Sequence, residues 1–208
     1  MVYGVDFGNG FWLTVAFQGE DVKTAAGLFR AAIEAQKNFL LVAAKHSCPA
    51  DSDLQKVLEP QVKAITATTE FREKNRRSAF FNHLSSISEA IPALSWICVT
   101  PTPGPYVKDM KDAAMFYTNR VLKEFKGTAP KLTSFRQFYL PSLSGKDERH
   151  CEWTKKLLGA LTALQAYIKE YHTTGLVWNT KVSLVHPGKR RFPFSPNLFL
   201  ITLIFGEC

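Results

Sequence analysis

Through the middle of the chain, hydrophobic positions recur at steps of three and four and almost nowhere at steps of two. That is helical spacing, because 3.6 residues per turn return a side chain to the same face. Between Asp21 and Lys45, the positions Val22, Ala25, Ala26, Phe29, Ile33, Gln36 and Leu40 form one stripe with a single polar interruption. His46 to Asp53, with Cys48-Pro49 inside it, reads as a loop, and Asp53 as the cap of the next helix. There Leu54, Val57, Leu58, Val62 and Ile65 share a face, and Pro60 predicts a kink or a late start. A third stripe runs Phe80, Leu84, Ile87, Ile91 and Leu94; Pro92 interrupts its last turn, and Trp96-Ile97-Cys98-Val99 continues apolar into a break.

The break is Thr100-Pro101-Thr102-Pro103-Gly104-Pro105, whose three prolines and glycine predict a stiff extended loop. A long helix is expected from Tyr106 to Phe125, with Met110, Ala113, Ala114, Tyr117, Val121 and Phe125 on one side. Its other side is charged: Lys108, Asp109, Lys111, Asp112, Arg120 and Lys123. The last clear stripe is Trp153, Leu157, Leu161, Leu164, Ile168 and Tyr171, with Gly175 as a stop signal. Helices joined by short connections, with no alternating strand pattern, predict an all-α antiparallel bundle of about five to six helices. Residues 1–20, 127–149 and 182–208 fall outside this pattern, so the bundle is assigned to 21–181 with an insert. Phe116 and Tyr117 read as core.

Composition changes the picture little: 46% hydrophobic and 21% charged residues are globular values. The net charge of +8 is concentrated in the last third, where Lys189-Arg190-Arg191 is the one short basic run. No basic cluster interleaved with aromatics points to nucleic acid, so a solvated basic surface is the reading. Cys48, Cys98, Cys151 and Cys208 are scattered without a Cys-x-x-Cys pair, which argues for reduced structural thiols rather than a metal centre. His46 with Cys48, and His150 with Cys151, lack a second pair at ligand spacing. Phe11–Phe17 is short and follows no basic start, so no signal peptide is expected. The apolar run Asn197–Phe205 is far below the roughly 20 residues that span a bilayer.

Catalytic motifs are missing: no nucleophile elbow, phosphate loop or His-Glu-x-x-His pair. Gly8-Asn9-Gly10 reads as a turn. Asp51/Asp53 and Asp109/Asp112 are placed at helix starts, where carboxylates favour the positive end of the helix dipole. His83 reads as a core or boundary histidine, and His172 as a cation favoured at a helix C-terminus. The chain is therefore expected to be no enzyme and to hold no cofactor. What remains is surface. Phe71-Arg-Glu-Lys-Asn-Arg76-Arg77 is a dense charged junction, read either as a solvated hinge or as a contact for an acidic partner. The Pro-Gly-Pro loop followed by Tyr106 is suited to protein contacts.

Three long strings carry a resemblance. Phe71-Arg-Glu-Lys-Asn-Arg76 with Phe81-Asn-His-Leu-Ser85 is the first, and Pro103-Gly-Pro-Tyr-Val-Lys108 running into Asp112-Ala-Ala-Met-Phe-Tyr-Thr-Asn-Arg-Val-Leu-Lys-Glu124 is the second. Leu164-Gln-Ala-Tyr-Ile-Lys-Glu170, then His172-Thr-Thr-Gly-Leu176 and Trp178, is the third. In this order they resemble the N-terminal helical domain of the cyclase-associated protein family, over residues 21–126 and 150–181.

The resemblance implies a helical bundle that binds actin and works with cofilin to speed filament depolymerisation at pointed ends. It also implies a cytoplasmic, cortical-actin location and, in the full-length family, a link to adenylyl cyclase and cAMP signalling. The contact residues it implies are Arg72, Lys74 and Arg76; Pro103, Gly104, Pro105, Tyr106, Lys108, Asp112, Asn119, Arg120 and Lys123; and His172, Thr173 and Thr174. The family has a coiled coil and a further helix ahead of Asp21, a shorter connection after Lys126, and a proline-rich stretch, a WH2 motif and a β-sheet domain after Lys181. Residues 1–20, 127–149 and 182–208 match none of these, so self-association is left open without a coiled coil, and cyclase binding and nucleotide exchange are left without the regions responsible. The alternative reading is a non-catalytic scaffold fragment that has lost actin regulation.

Overall fold

A computed structural model describes residues 19–125 and 141–179, with the side chains of the last helix described from Glu148 onward. The element order is α1 (Glu20–Lys45), α2 (Asp51–Lys74), α3 (Phe81–Ala90), a 3₁₀ segment (Ile91–Cys98), α4 (Pro103–Phe125) and α5 (Pro141–Tyr171). Among the described residues there is no strand, as the spacing predicts. The turn Gly8-Asn9-Gly10, the Lys189–Arg191 run, the apolar tail and Cys208 lie outside the described residues, as do residues 126–140.

Contacts at the helix ends fix the topology. Ser78, just before α3, donates to the Asp21 carboxylate at the start of α1 (2.6 Å). Asn82 of α3 reaches Glu124 near the end of α4 (3.2 Å), and His83 of α3 reaches His150 of α5 (2.9 Å). At the other end, Tyr106 donates to the Pro92 carbonyl and Gln165 of α5 to the Gly104 carbonyl. Each helix therefore runs antiparallel to the one before it, and the bundle has two distinct ends.

The core gathers the expected stripes. Phe29, Leu84, Ile87, Ile91, Trp96, Trp153, Leu157, Leu161 and Ile168 are all fully enclosed. The polar interruption in α1 has a structural use. Pro92 lacks an N–H, so the helix tightens to three-residue turns beyond Ala90. The Leu94 carbonyl in that segment accepts from buried Gln36 (2.6 Å) and from buried Gln61 of α2 (2.7 Å). Two glutamine amides thus tie the segment to both neighbouring helices.

The structure corrects several expectations. Ala50, not Asp53, precedes the first turn of α2, and Asp53 instead pairs with Lys56. Of the kink or late start expected at Pro60, the late start is excluded: the helix starts nine residues before Pro60 and continues past it. Val62 is exposed; the inward slot belongs to Gln61, one helical step of 100° away. Pro103-Gly104-Pro105 is no extended loop but the first turn of α4, where a missing N–H costs nothing. Asp109 and Asp112 therefore lie beyond the first turn, and Asp112 pairs with Lys108 (2.6 Å). Helix α5 begins twelve residues earlier than Trp153. Among the described residues, no helix is long and apolar enough to cross a membrane.

Helix α5 ends at Tyr171, and Gly175, with a φ of 129° and its N–H on the His172 carbonyl, closes the turn that follows it. The chain then folds back over the end of α1. Trp178 packs edge-on against Phe39, with ring centroids 5.7 Å apart. The Asn179 backbone donates to the Ala43 and His46 carbonyls, and its side chain to the Ala44 carbonyl. Those are carbonyls that a helix terminus leaves without internal partners.

Candidate protein-contact surface

The junction of α2 and α3 builds the first candidate surface. Arg72, on the last turn of α2, is half-buried: its guanidinium reaches Glu89 of α3 (3.1 Å) and Glu73 (3.6 Å), and lies 5.9 Å from the Phe81 ring centroid. Arg72 is therefore a brace between two helices rather than an open cation. Asn75 ends the helix by returning its side-chain amide to the Phe71 carbonyl (2.8 Å). Beyond this brace, Lys74, Arg76 and Arg77 are exposed. Lys74 pairs with Glu70 at 3.2 Å and Arg76 with Glu73, while Arg77 has no ion-pair partner among the described residues. Together with Asp21, Glu73, Asn75 and Ser78, these three cations line an open cavity of about 540 Å³. Surface pairs of this kind are worth at most about 1 kcal/mol, so the cations can be re-partnered by an incoming carboxylate.

The second surface is the outward face of α4. Lys108, Asn119, Arg120 and Lys123 are exposed, and Asp112 is partly so. Met115 and Phe116 stand among them; Phe116, expected in the core, is 56% exposed. Arg120 lies over the Phe116 ring at 4.3 Å and 5.5 Å from the half-buried Tyr117. The start of this helix does not join the surface. Pro103 and Gly104 are buried, Tyr106 is half-buried with its hydroxyl on the Pro92 carbonyl, and only Pro105 is exposed. Burial also pushes the Tyr106 phenol up from its ordinary range.

The third group divides. Thr173 and Thr174 are exposed in the turn after α5, whereas His172 is buried. Its Nε2 meets the Tyr167 hydroxyl at 3.0 Å, its ring packs on Trp96, and burial holds its pKa down at about 4. It is thus a neutral core imidazole, not the dipole-stabilised cation that its place at a helix end suggests. These residues and Pro105 lie at one end of the bundle, and the α2–α3 junction with Lys123 at the other.

Arg77, part of the charged junction but not among the implied contact residues, is brought forward by its exposure. One feature is not visible in the sequence. His83 and His150 form a buried pair, caged by Phe80, Phe125 and Trp153. Burial, and behind it the neighbouring His150 ring, hold His83 at about 3. No three His, Cys, Asp or Glu side chains among the described residues gather as a cation site.

Residues 10–176 match the family model described as CAP, N-terminal domain. Human adenylyl cyclase-associated protein 2 is 47% identical over 159 residues, covering 76% of this chain. Human adenylyl cyclase-associated protein 1 is 44% identical over 161 residues, covering 77%. The chain spans 30% of the length of either relative. The solved N-terminal domain of the adenylyl cyclase-associated protein from Dictyostelium discoideum superposes with a TM-score of 0.71 at 36% identity, covering 82% of this chain and 87% of that one. A crystal structure of the N-terminal domain of CAP, described as indicating variable oligomerisation, gives a TM-score of 0.70 at 36% identity, covering 82% of this chain and 83% of that one. A shared fold, two human relatives above 40% identity and a family match over most of the chain lead to one conclusion: the chain belongs to the adenylyl cyclase-associated protein family and carries that family's N-terminal helical domain.

Proposed function

We propose that this chain is a non-catalytic actin-regulatory binding domain that assists cofilin-dependent filament turnover in the cytoplasm, at the cortical actin cytoskeleton. Its partners are actin and cofilin; adenylyl cyclase, which the relatives' name carries, is a partner of the longer family members. The observation that carries the reading is the α2–α3 junction, where Lys74, Arg76 and Arg77 stand exposed around one open cavity. Cations on a rigid frame attract acidic protein surfaces and speed their encounter, and the helical frame that carries them needs no ordering on binding. Of the three groups that the sequence motifs suggest, the junction residues Lys74 and Arg76 are assigned to direct contact and Arg72 to bracing them. Lys108, Asp112, Asn119, Arg120 and Lys123 form the second contact surface, with Pro105, Thr173 and Thr174 as a minor one at the far end. Pro103, Gly104, Tyr106 and His172 support the fold.

Cosedimentation with actin filaments, bare and cofilin-decorated, tests this. The chain is expected to pellet with decorated filaments. A Lys74→Glu, Arg76→Glu chain is expected to lose most of that binding while keeping its helical circular dichroism. A folded chain that stays in the supernatant with both kinds of filament would overturn the proposal.

A further inference from the structure

Helix α4 carries an apolar feature that the bundle does not use. Four large hydrophobic side chains are exposed among the described residues, and two of them, Met115 and Phe116, are neighbours on this helix. Single exposed apolar residues are ordinary, but this pair is part of a built cluster. The Phe116 ring meets the Tyr117 ring edge-on, with centroids 5.1 Å apart. From one turn further on, the Arg120 guanidinium covers Phe116 at 4.3 Å. An aromatic ring held between a second ring and a guanidinium has few rotamers left to lose on binding. Aromatic, Met and Arg side chains are also the types enriched at the centres of protein interfaces.

Charge says what kind of surface fits. Along the same face, Lys108 is answered by Asp112 within the helix. Neither Arg120 nor Lys123 has a carboxylate at ion-pair distance among the described residues. Glu124, the nearest acid in sequence, accepts from Asn82 of α3 instead. The cluster is convex, because it rides on the outward side of a helix whose other side is buried by Val107, Ala114, Thr118 and Val121. A convex aromatic knob covered by Arg120, with exposed Lys123 further along the same face, is complementary to an apolar pocket with an acidic rim.

The geometry points to Phe116 as the anchor of the α4 surface, seating in an apolar, acid-rimmed pocket of a protein partner, with Arg120 both holding the ring and meeting the rim. This rests on the filament-binding reading above and adds to it the residue that dominates the contact and the chemistry of what it enters.

The probe is the cofilin-decorated actin filament, and the readout is its affinity for the whole chain by cosedimentation. Phe116→Ala is expected to weaken binding at least about tenfold, the usual cost of losing an interface anchor. Arg120→Glu is expected to do the same, and Arg120→Lys to fall between, keeping the charge but losing the planar cover. Val62→Ser removes an equally exposed apolar side chain on α2 and is expected to change nothing. Unchanged helical circular dichroism and melting in all four variants keep folding out of the result. Binding by the Phe116→Ala chain within twofold of the parent overturns the anchor while leaving the filament reading intact. A parent chain that does not bind overturns both. A parent chain that dimerises alone, through a contact that Phe116→Ala abolishes, places a second copy on the knob and overturns the assignment of a foreign pocket.

Discussion

Arg72 and Arg76 stand four residues apart in the charged junction and do different jobs. Arg72 is clamped between Glu73 and Glu89, so Arg72→Ala is expected to cost about 1 kcal/mol of stability, read as a lower denaturation midpoint. Lys74→Ala and Arg76→Ala are expected to leave that midpoint within about 0.5 kcal/mol, since their pairs are solvent-exposed. Equal losses for all three would refute this division of labour. Histidines set a second residue-scale expectation. His83 and His172 titrate near 6.5 when unfolded but at about 3 and about 4 when buried. Above pH 6.5 both states are neutral and stability is full. As pH falls below 6.5 the unfolded chain takes up protons that the folded one refuses, so stability drains down to the folded values. By pH 5 each histidine is expected to cost on the order of 2 kcal/mol. Urea unfolding at pH 7 and pH 5 measures this, and equal midpoints would contradict it. The sequence shows that His83 sits on an apolar stripe; it does not show the second imidazole 67 residues away that shares its cage.

At the scale of the element, spacing was a good guide to where helices run and a poor one to where they start. Periodicity marks the buried face, but a start is decided by which N–H groups are needed. Pro103 and Pro105 fall in a first turn, where none are, so a string that looks incompatible with a helix begins one. Phe116 differs for another reason: its hydrophobicity suggests core, but it is two residues from both Ala114 and Thr118 and so lies nearly opposite the buried stripe of Val107, Ala114, Thr118 and Val121. The 3₁₀ segment yields a prediction of its own. Gln36 and Gln61 both donate to the Leu94 carbonyl, so either one alone still satisfies it. Gln36→Ala and Gln61→Ala are expected to destabilise by about 1–2 kcal/mol singly, and the pair by more than their sum, because only the double variant strands a buried carbonyl. Additive losses in a double-mutant cycle would show that the carbonyl is not shared.

At the scale of the whole molecule, antiparallel helices bring residues far apart in sequence to the same end of the bundle. Lys74, Arg76, Arg77 and Lys123 share one end, while the segment from Tyr171 to Asn179 closes the other over α1. The fold class and the basic junction are legible from spacing and motif strings alone. The two-ended arrangement is not, because it depends on contacts such as Asp21 to Ser78 and Asn179 to Ala43, which join residues far apart in sequence. Asn179→Ala is expected to cost about 1 kcal/mol by freeing the Ala44 carbonyl, read by denaturant unfolding; no change would mean that the backbone contacts alone hold the closure. The central claim, that the α2–α3 junction serves actin turnover, is tested most directly by watching single cofilin-decorated filaments shorten with and without this chain. Loss from pointed ends is expected to quicken with the chain, and the gain to vanish with a Lys74→Glu, Arg76→Glu chain that melts like its parent. A folded parent chain that leaves the rate unchanged, or a double variant that speeds it equally, would contradict the account.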